Sequence, residues 1–282
     1  MIRIALPNKG SLSEEAVSLC KEAGYRCKRY GRELSVLDPD TDVEFIFLRP
    51  RDIAVYVGRG VLDAGITGRD LNADAEVPAH EALALGFGKS TFRYAVPNGS
   101  DLTPDTLAGK RVACSYKNIV RRDLERRGVQ ASVVPLDGAV EISIRLGVAD
   151  AIADVVESGQ TLREAGLKAV GDPVLKSEAI VIVPDEAKLA NPQVKRFLDH
   201  LRGIVVARQY SMVEYDIRRE ALEKAVVLAP GFEAPTVSPL NDPDWVAVKV
   251  MLPRKKIHDI VDALADIGAR GIVVTDIRTC RL

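Results

Sequence analysis

The stretch Glu141–Leu162, EISIRLGVADAIADVVESGQTL, decides the fold. It opens on an apolar helical pattern and passes through Ala149–Val156, a short apolar run of strand length. It ends in the small polar turn Glu157-Ser158-Gly159-Gln160-Thr161, and helical periodicity resumes at Leu162-Arg163-Glu164-Ala165. Helix, buried strand, turn and helix again is the alternation of an α/β protein. A hydroxyl-bearing turn between a strand and a helix start is also a place to hold an anion. Backbone N–H groups there lack helical partners, and the macrodipole is positive at that end. Asp154, a carboxylate just ahead of the turn, adds an acceptor for hydroxyls and turns the expected ligand from a bare anion into a sugar phosphate.

The same alternation runs upstream. Ile2–Leu6 reads as a first strand, Pro7-Asn8-Lys9-Gly10-Ser11 as a turn, and the next segment as a helix with Leu12, Ala16, Leu19 and Cys20 on one face. Ser11 or Ser13 can cap that helix, and Ser11 with Glu14 has capping-box spacing. Leu34–Leu37 and Val43–Leu48 read as strands joined by Asp38-Pro39-Asp40-Thr41. Arg49-Pro50 then starts a helix, and Val61–Leu71 repeats the pattern of strand followed by Thr67-Gly68-Arg69-Asp70. Open α/β sheets bind ligands outside the carboxyl ends of their strands. Lys9, Arg49 and Arg69 all fall there, which points to a polyanion cleft. Taken singly, each is equally a solvated cation in a polar turn.

Phe92–Val96 is a further strand, and Thr106–Ala113 reads as a turn into another. Tyr116 and Lys117 precede a helix crowded with Arg121, Arg122, Arg126 and Arg127, which reads first as a solvated face. Ala131–Leu136 is a strand, and Asp137 is a candidate cap for the helix that follows. Glu141 lies in that helix's first turn, where an acid also complements the dipole, so a structural and a functional role both stand. Ala179–Pro184 is a strand, and 191–206 is an amphipathic helix. From about Gln209 the order becomes βαββαβ: Tyr210–Ile217, Arg219–Val227, Pro235–Leu240, Trp245–Leu252, Lys255–Ile267 and Gly271–Ile277. That is the ferredoxin-like arrangement.

Composition bounds the function. With 282 residues, 39 basic against 40 acidic, the chain suits about two or three domains and advertises no nucleic-acid or membrane partner. Cys20, Cys27, Cys114 and Cys280 form no C-x-x-C pair, which argues against a zinc site or disulfide scaffold and fits a reducing cytosol. No signal-peptide pattern opens the chain, and no apolar run reaches the ~18–20 residues needed to span a bilayer. The P-loop, G-x-G-x-x-G and G-x-S-x-G motifs are absent. His80, His200 and His258 are scattered, so no metal held by the protein alone is expected. Mg²⁺ carried in by substrate phosphates remains compatible.

The signature Glu141-x5-Gly147-x-Ala149-x-x-Ile152-x-Asp154-Val155-x-x-Ser158-Gly159-x-Thr161-Leu162 resembles that of the ATP phosphoribosyltransferases. Pro7-Asn8-Lys9-Gly10, Phe47-Leu48-Arg49-Pro50, Gly65-Ile66-Thr67-Gly68-Arg69-Asp70 and Leu85-Gly86-Phe87-Gly88 resemble that family in the right order. The C-terminal module, with Pro235–Leu240, is similar to the regulatory domain of its long form. The resemblance covers the chain end to end. It implies two α/β lobes like a type II periplasmic binding protein, with the chain crossing between them twice. Residues 1–89 with 178–208 would form lobe I, 90–177 lobe II, and 209–282 a ferredoxin-like regulatory domain.

The implied reaction joins N1 of the adenine of ATP to C1 of phosphoribosyl pyrophosphate with loss of pyrophosphate, the first step of histidine biosynthesis, inhibited by histidine. Asp154 would accept from the ribose hydroxyls. Val155, Val156, Glu157, Ser158, Gly159, Gln160 and Thr161 would complete the phosphoribosyl pyrophosphate site. Lys9 and Arg49, and with them Arg69, would neutralise polyphosphate. Gly10, Leu12, Arg69, Asp70 and Tyr116 would hold ATP. Glu141 would steer the adenine or support the loop. Asp216, Thr236 and Gly271 would hold the inhibitor histidine. The family implies a cytoplasmic homo-oligomer, dimers assembling to a hexamer. The main rival is a two-lobed solute receptor or transcriptional effector domain, disfavoured by the absence of a signal peptide and of a DNA-binding helix-turn-helix. A catalytically dead subunit is disfavoured by Lys9, Arg49 and the intact 158–161 turn.

Overall fold

Periodicity and turn chemistry translate into alternating strands and helices in this computed structural model, which describes residues 1–29, 31 and 33–281 but not the side chain of Ser11. The Ser11–Glu14 capping box therefore lies outside the described residues. The elements are β1 (Ile2–Pro7), α1 (Ser11–Glu22), β2 (Ser35–Asp38), β3 (Val43–Leu48), α2 (Pro50–Gly58), β4 (Ala64–Gly68), α3 (Arg69–Asp74) and β5 (His80–Ala84). There follow β6 (Ser90–Pro97), β7 (Arg111–Cys114), α4 (Lys117–Arg127), β8 (Ser132–Pro135), α5 (Ile142–Arg145), β9 (Ala151–Val156), α6 (Gln160–Glu164), β10 (Leu167–Ser177) and β11 (Ala179–Val183). The chain continues with α7 (Pro192–Gln209), β12 (Tyr210–Arg218), α8 (Leu222–Leu228), β13 (Thr236–Pro239), β14 (Trp245–Pro253), α9 (Ile257–Asp266) and β15 (Arg270–Asp276).

Two compact units result: one of Met1–Lys21 and Tyr25–Leu198, the other of Glu22–Gly24 and the chain from Asp199 onward. Their boundary falls inside α7. In the first unit a six-stranded sheet has the order β2-β3-β1-β4-β11-β5, and a five-stranded sheet the order β10-β6-β9-β7-β8. β1 is parallel to β3 and β4, and β11 runs antiparallel between β4 and β5. Likewise β7 is parallel to β8 and β9, and β6 runs antiparallel between β9 and β10. Each sheet thus has the same plan: a parallel trio, then one antiparallel strand supplied by the chain just after it crosses over. This is the type II periplasmic-binding-protein-like arrangement.

Strand patterning explains the burial. β1 and β4 lie mid-sheet and are almost wholly apolar, while β2, on the edge, is half exposed. Gly65 is needed because a Cβ there would sit 2.5 Å from a methyl of Ile53, where β4 meets α2. On one face of the five-stranded sheet Phe92, Tyr94, Leu107 and Leu124 form the core; Ala95, Val140, Ile152 and Leu162 fill the other.

The structure departs from the sequence patterns in three places. β5 and β10 carry no clear strand signal. β10 is an edge strand whose pairing with β6 is interrupted by a bulge between Val170 and Leu175, with Gly171 at φ 67°. Gly171-Asp172-Pro173 therefore reads as a turn, and Pro173 is tolerated because an edge needs fewer donors. The helix expected from Asp137 shrinks to the four residues of α5, so Asp137 caps nothing and Glu141 stands at the N-cap position.

The second unit is a four-stranded sheet of order β13-β14-β12-β15, antiparallel throughout. Val213, Tyr215, Ile217, Val246, Val248, Val250 and Leu252 alternate onto one face and join Ile257 and Leu264 of α9 in its core. This is the βαββαβ order read from the sequence.

Candidate active site

The parallel strands of both sheets end in loops that carry the candidate residues. β1 leads to Lys9 and Gly10, β3 to Arg49, and β4 to Arg69 and Asp70. β7 leads to Tyr116, β8 to Glu141, and β9 to the turn from Glu157 to Thr161. Arg49 and Glu141 therefore follow equivalent strands, as do Asp70 and the Ser158–Thr161 turn. Carboxyl ends of parallel strands are where helix N-termini and loose loops offer unpaired N–H groups.

The turn after β9 is built to be narrow. Gly159 adopts φ 71°, a left-handed conformation that costs glycine little, and stands at the N-cap of α6. Gln160 N–H donates to Ser158 Oγ at 3.4 Å, and Arg163 Nη1 donates to the Ser158 carbonyl at 3.1 Å. Gln160 Nε2 reaches Glu164 Oε1 at 2.8 Å, which turns this side chain away along the helix. A cavity of about 460 Å³ borders Glu157, Ser158, Gly159 and Arg163 and also takes in Arg93 and Lys168.

Asp154 sits at the end of the buried part of β9. Its Oδ1 accepts the N–H of Val155 at 2.8 Å. Burial nevertheless pushes its pKa up to about 6, with the charges of Glu141 and Asp70 adding to the rise. The charges of carboxylates from both sheets thus bear on Asp154. Asp70 is 7% exposed; its Oδ1 accepts the Ser177 hydroxyl at 2.9 Å, and its own N–H donates to Ser177 Oγ at 3.1 Å. Gly68 makes room for this carboxylate, since a Cβ there would meet Asp70 Oδ1 at 2.3 Å.

Burial, with the neighbouring charge of Asp70, holds the pKa of Tyr116 above the ordinary phenol range. Its ring packs edge-on against Phe92, with centroids 5.4 Å apart, and the Arg51 guanidinium lies 5.0 Å from its centroid. A cavity of about 180 Å³ brings Leu12, Asp70, Phe87, Val155 and Glu157 together, with Gly88 and Ser177 on the two crossover segments.

The cations divide into two classes. Lys9 and Arg49 are exposed and, among the described residues, join no ion pair. Arg69, expected to neutralise polyphosphate, is instead gripped by Glu81 at 2.7 and 2.8 Å and by Glu178 at 3.3 and 3.4 Å. Its charge is matched within the fold, where it ties the start of α3 to β5 and the return crossover. The basic helix α4 follows its plainer reading: Arg126 and Arg127 pair with Asp123, and Arg127 also with Asp105.

Three contributors carried no readable signal. Ser177 reaches the site on the return crossover, while Arg51 of α2 and Asp74 of α3 reach it by bonding to Ser115, Asn118 and Ile119 of the other sheet's loops and helix. Phe87 and Gly88 belonged to a quoted motif but had no expected role.

In the second unit, Asp216 on β12 faces away from the apolar core, in register with Ala247 and Arg270. Gly271, at φ 57°, approaches it closely enough that a Cβ would lie 3.8 Å from Asp216 Oδ2. Thr236 shares that face, but β14 intervenes and the register sets Thr236 two residues along, so the two positions are about 12 Å apart.

Known proteins resemble the chain along its whole length. The family model for HisG, ATP phosphoribosyltransferase, matches residues 49–203, and the model for the HisG C-terminal domain matches residues 207–279. The ATP phosphoribosyltransferase of Pseudarthrobacter chlorophenolicus is 57% identical over 284 residues, covering all of both chains. That of Salinibacter ruber is 54% identical over 283 residues, again covering both completely. Among solved structures, the ATP phosphoribosyl transferase (HisG:HisZ) complex from Thermotoga maritima aligns at TM-score 0.62 and 28% identity, over 71% of this chain and 96% of that one.

Proposed function

The chain belongs to the ATP phosphoribosyltransferase family, in the long form with its C-terminal domain, and on that premise we propose how its residues perform the first step of histidine biosynthesis. The phosphoribosyl group passes from phosphoribosyl pyrophosphate to N1 of ATP, and pyrophosphate leaves. The turn Ser158–Thr161 cradles the 5-phosphate with first-turn N–H groups, and Asp154 accepts from the ribose hydroxyls. Lys9 and Arg49, uncommitted within the fold, meet the polyphosphates. Leu12, Asp70 and Tyr116 hold ATP beside Gly10. Arg69 serves this site through its grip on Glu81 and Glu178 rather than through free charge.

As C1 loosens from pyrophosphate, positive character builds on the sugar. Asp154, Glu141 and Asp70 lie on the side where an anionic field favours that charge. The remaining contribution is alignment of N1 against C1, which needs no strong base. Mg²⁺ is expected to arrive on the substrate phosphates, where it would offset pyrophosphate charge. Among the described residues no group of three or more His, Cys, Asp or Glu side chains is disposed to hold an ion by itself.

We further propose the division 1–89 with 178–208, 90–177 and 209–282 as the working domains. Histidine would inhibit by binding Asp216, Thr236 and Gly271 of the last, in a cytoplasmic dimer that assembles to a hexamer. No helix among the described residues is long and apolar enough to cross a membrane.

The observation that supports the reading is the placement of the Asp154 carboxylate in β9, just ahead of the Gly159 turn that opens α6, where the charges of Glu141 and Asp70 also bear on it. The test mixes ATP, phosphoribosyl pyrophosphate and Mg²⁺ with the protein. Formation of phosphoribosyl-ATP, identified by mass, with equimolar pyrophosphate is expected, and its suppression by histidine supports the regulatory part. Ligand binding without product would favour a binding module instead.

A further inference from the structure

We propose that Asp74 is a positioning residue of the nucleotide site, fixing helix α4 and with it Tyr116 from the opposite sheet. The inference rests on the reading that Tyr116 meets ATP. Asp74 ends α3, on the six-stranded sheet, and is only 5% exposed. Its Oδ1 accepts the N–H of Asn118 at 2.8 Å and that of Ile119 at 3.1 Å. These are the second and third residues of α4, which belongs to the five-stranded sheet. Asp74 therefore does for α4 what an N-cap side chain normally does, but from across the gap between the two sheets.

The local sequence explains why. The N-cap position of α4 is Tyr116 itself, whose side chain makes no capping bond. Its ring instead packs against Phe92 and beneath the Arg51 guanidinium. Without an outside acceptor, buried first-turn N–H groups of α4 would go unpaired. Asn118 Nδ2 returns a bond to the Asp74 carbonyl at 2.6 Å, so the contact is reciprocal.

One short helix thus holds Tyr116 twice. Asp70 lends its charge to the surroundings of the Tyr116 hydroxyl, and Asp74, four residues on along α3, accepts from the backbone just after Tyr116. Residues four apart lie on the same helical face, so both carboxylates point the same way. Arg51 closes the arrangement. It donates to Asp74 Oδ2 at 2.8 Å and to the Ser115 carbonyl at 2.8 Å, and lies over the Tyr116 ring. Tyr116 is therefore set by the relation between the two sheets, not by its own loop.

The test compares Asp74→Ala and Asp74→Asn, reading kcat and the KM of each substrate. Asparagine keeps an acceptor for the two N–H groups and loses the ion pair; alanine loses both. Asp74→Ala should raise the KM for ATP about tenfold while that for phosphoribosyl pyrophosphate moves less than about threefold, and Asp74→Asn should recover most of the loss. Equal effects on both substrates, or none, would overturn the proposal. Should the alanine variant not fold, Asp74→Ser, whose shorter side chain cannot reach both N–H groups, takes its place and should show the same rise in the KM for ATP alone. Amide exchange at Asn118 and Ile119 separates this proposal from the functional reading. If the wild-type protein makes no product, the functional reading fails, and Asp74 is then judged by exchange alone. Faster exchange at those two amides in a variant supports the cap, and unchanged exchange overturns it.

Discussion

Asp154, in strand β9, and Glu141, on the loop that follows β8 of the same sheet, interact electrostatically, the charge of Glu141 raising the pKa of Asp154. Burial is the larger cause, and Asp70 from the other sheet adds to it. A carboxylate meant to accept from sugar hydroxyls is therefore held near its titration point.

The pH dependence follows. With a folded pKa of about 6 against an ordinary 3.8, the native state binds this proton more tightly than the unfolded chain does. The group therefore adds stability as pH falls from about 6 toward 4. Above about 6 it costs stability, of order 1–3 kcal/mol. Asp154→Asn should raise the melting temperature at pH 7.5 and raise the KM for phosphoribosyl pyrophosphate at least about tenfold, with ATP little affected. In the wild type that KM should climb as pH drops below about 6, and Glu141→Gln should move the climb to lower pH. A pH profile that Glu141→Gln leaves in place would reject the coupling.

The phosphate turn depends on one left-handed glycine and one brace. Gly159→Ala would strain φ 71° and set a methyl 3.3 Å from Arg163 Nη1. We expect a cost of about 1–2 kcal/mol, seen mainly as weaker phosphoribosyl pyrophosphate binding. Arg163→Ala should weaken the same substrate by about threefold to tenfold by freeing the Ser158 carbonyl. Isothermal titration with each substrate separates the cases, and a loss falling on ATP instead would reject the assignment.

Arg69 should behave as a structural residue. Arg69→Met leaves Glu81 and Glu178 facing each other without their shared cation. A stability loss of about 1–2 kcal/mol is expected by denaturant titration, with substrate KM values changing less than those of Lys9→Ala or Arg49→Ala. If Arg69→Met instead matched Lys9→Ala in its effect on KM at unchanged stability, free charge would be its role.

Asp216 presents its carboxylate on the open face of the second unit beside the backbone of Gly271. Asp216→Ala should shift the histidine concentration for half inhibition upward by tenfold or more. An unchanged inhibition curve would locate the inhibitor elsewhere.

The sequence by itself determined the local elements and the order of chemical groups. Apolar strand runs, glycine turns and helical periodicity are short-range properties. Ile2–Pro7, Val43–Leu48 and Ala151–Val156 were thus readable, as was the βαββαβ order after Gln209. The Glu141–Leu162 signature carried the family as well. What the tertiary structure alone decided is which charges stay free. Nothing near Arg69 in sequence distinguishes it from Lys9 or Arg49; Glu178, one of the two carboxylates that claim it, arrives 109 residues later on the return crossover. Likewise α4 lacks a cap in its own sequence and receives one from Asp74, 44 residues earlier. β10 escaped notice because a bulge and an edge position let Gly171 and Pro173 sit in a strand. Long-range pairings depend on sheet order, and sheet order is a property of the folded chain, set by which faces must be buried together.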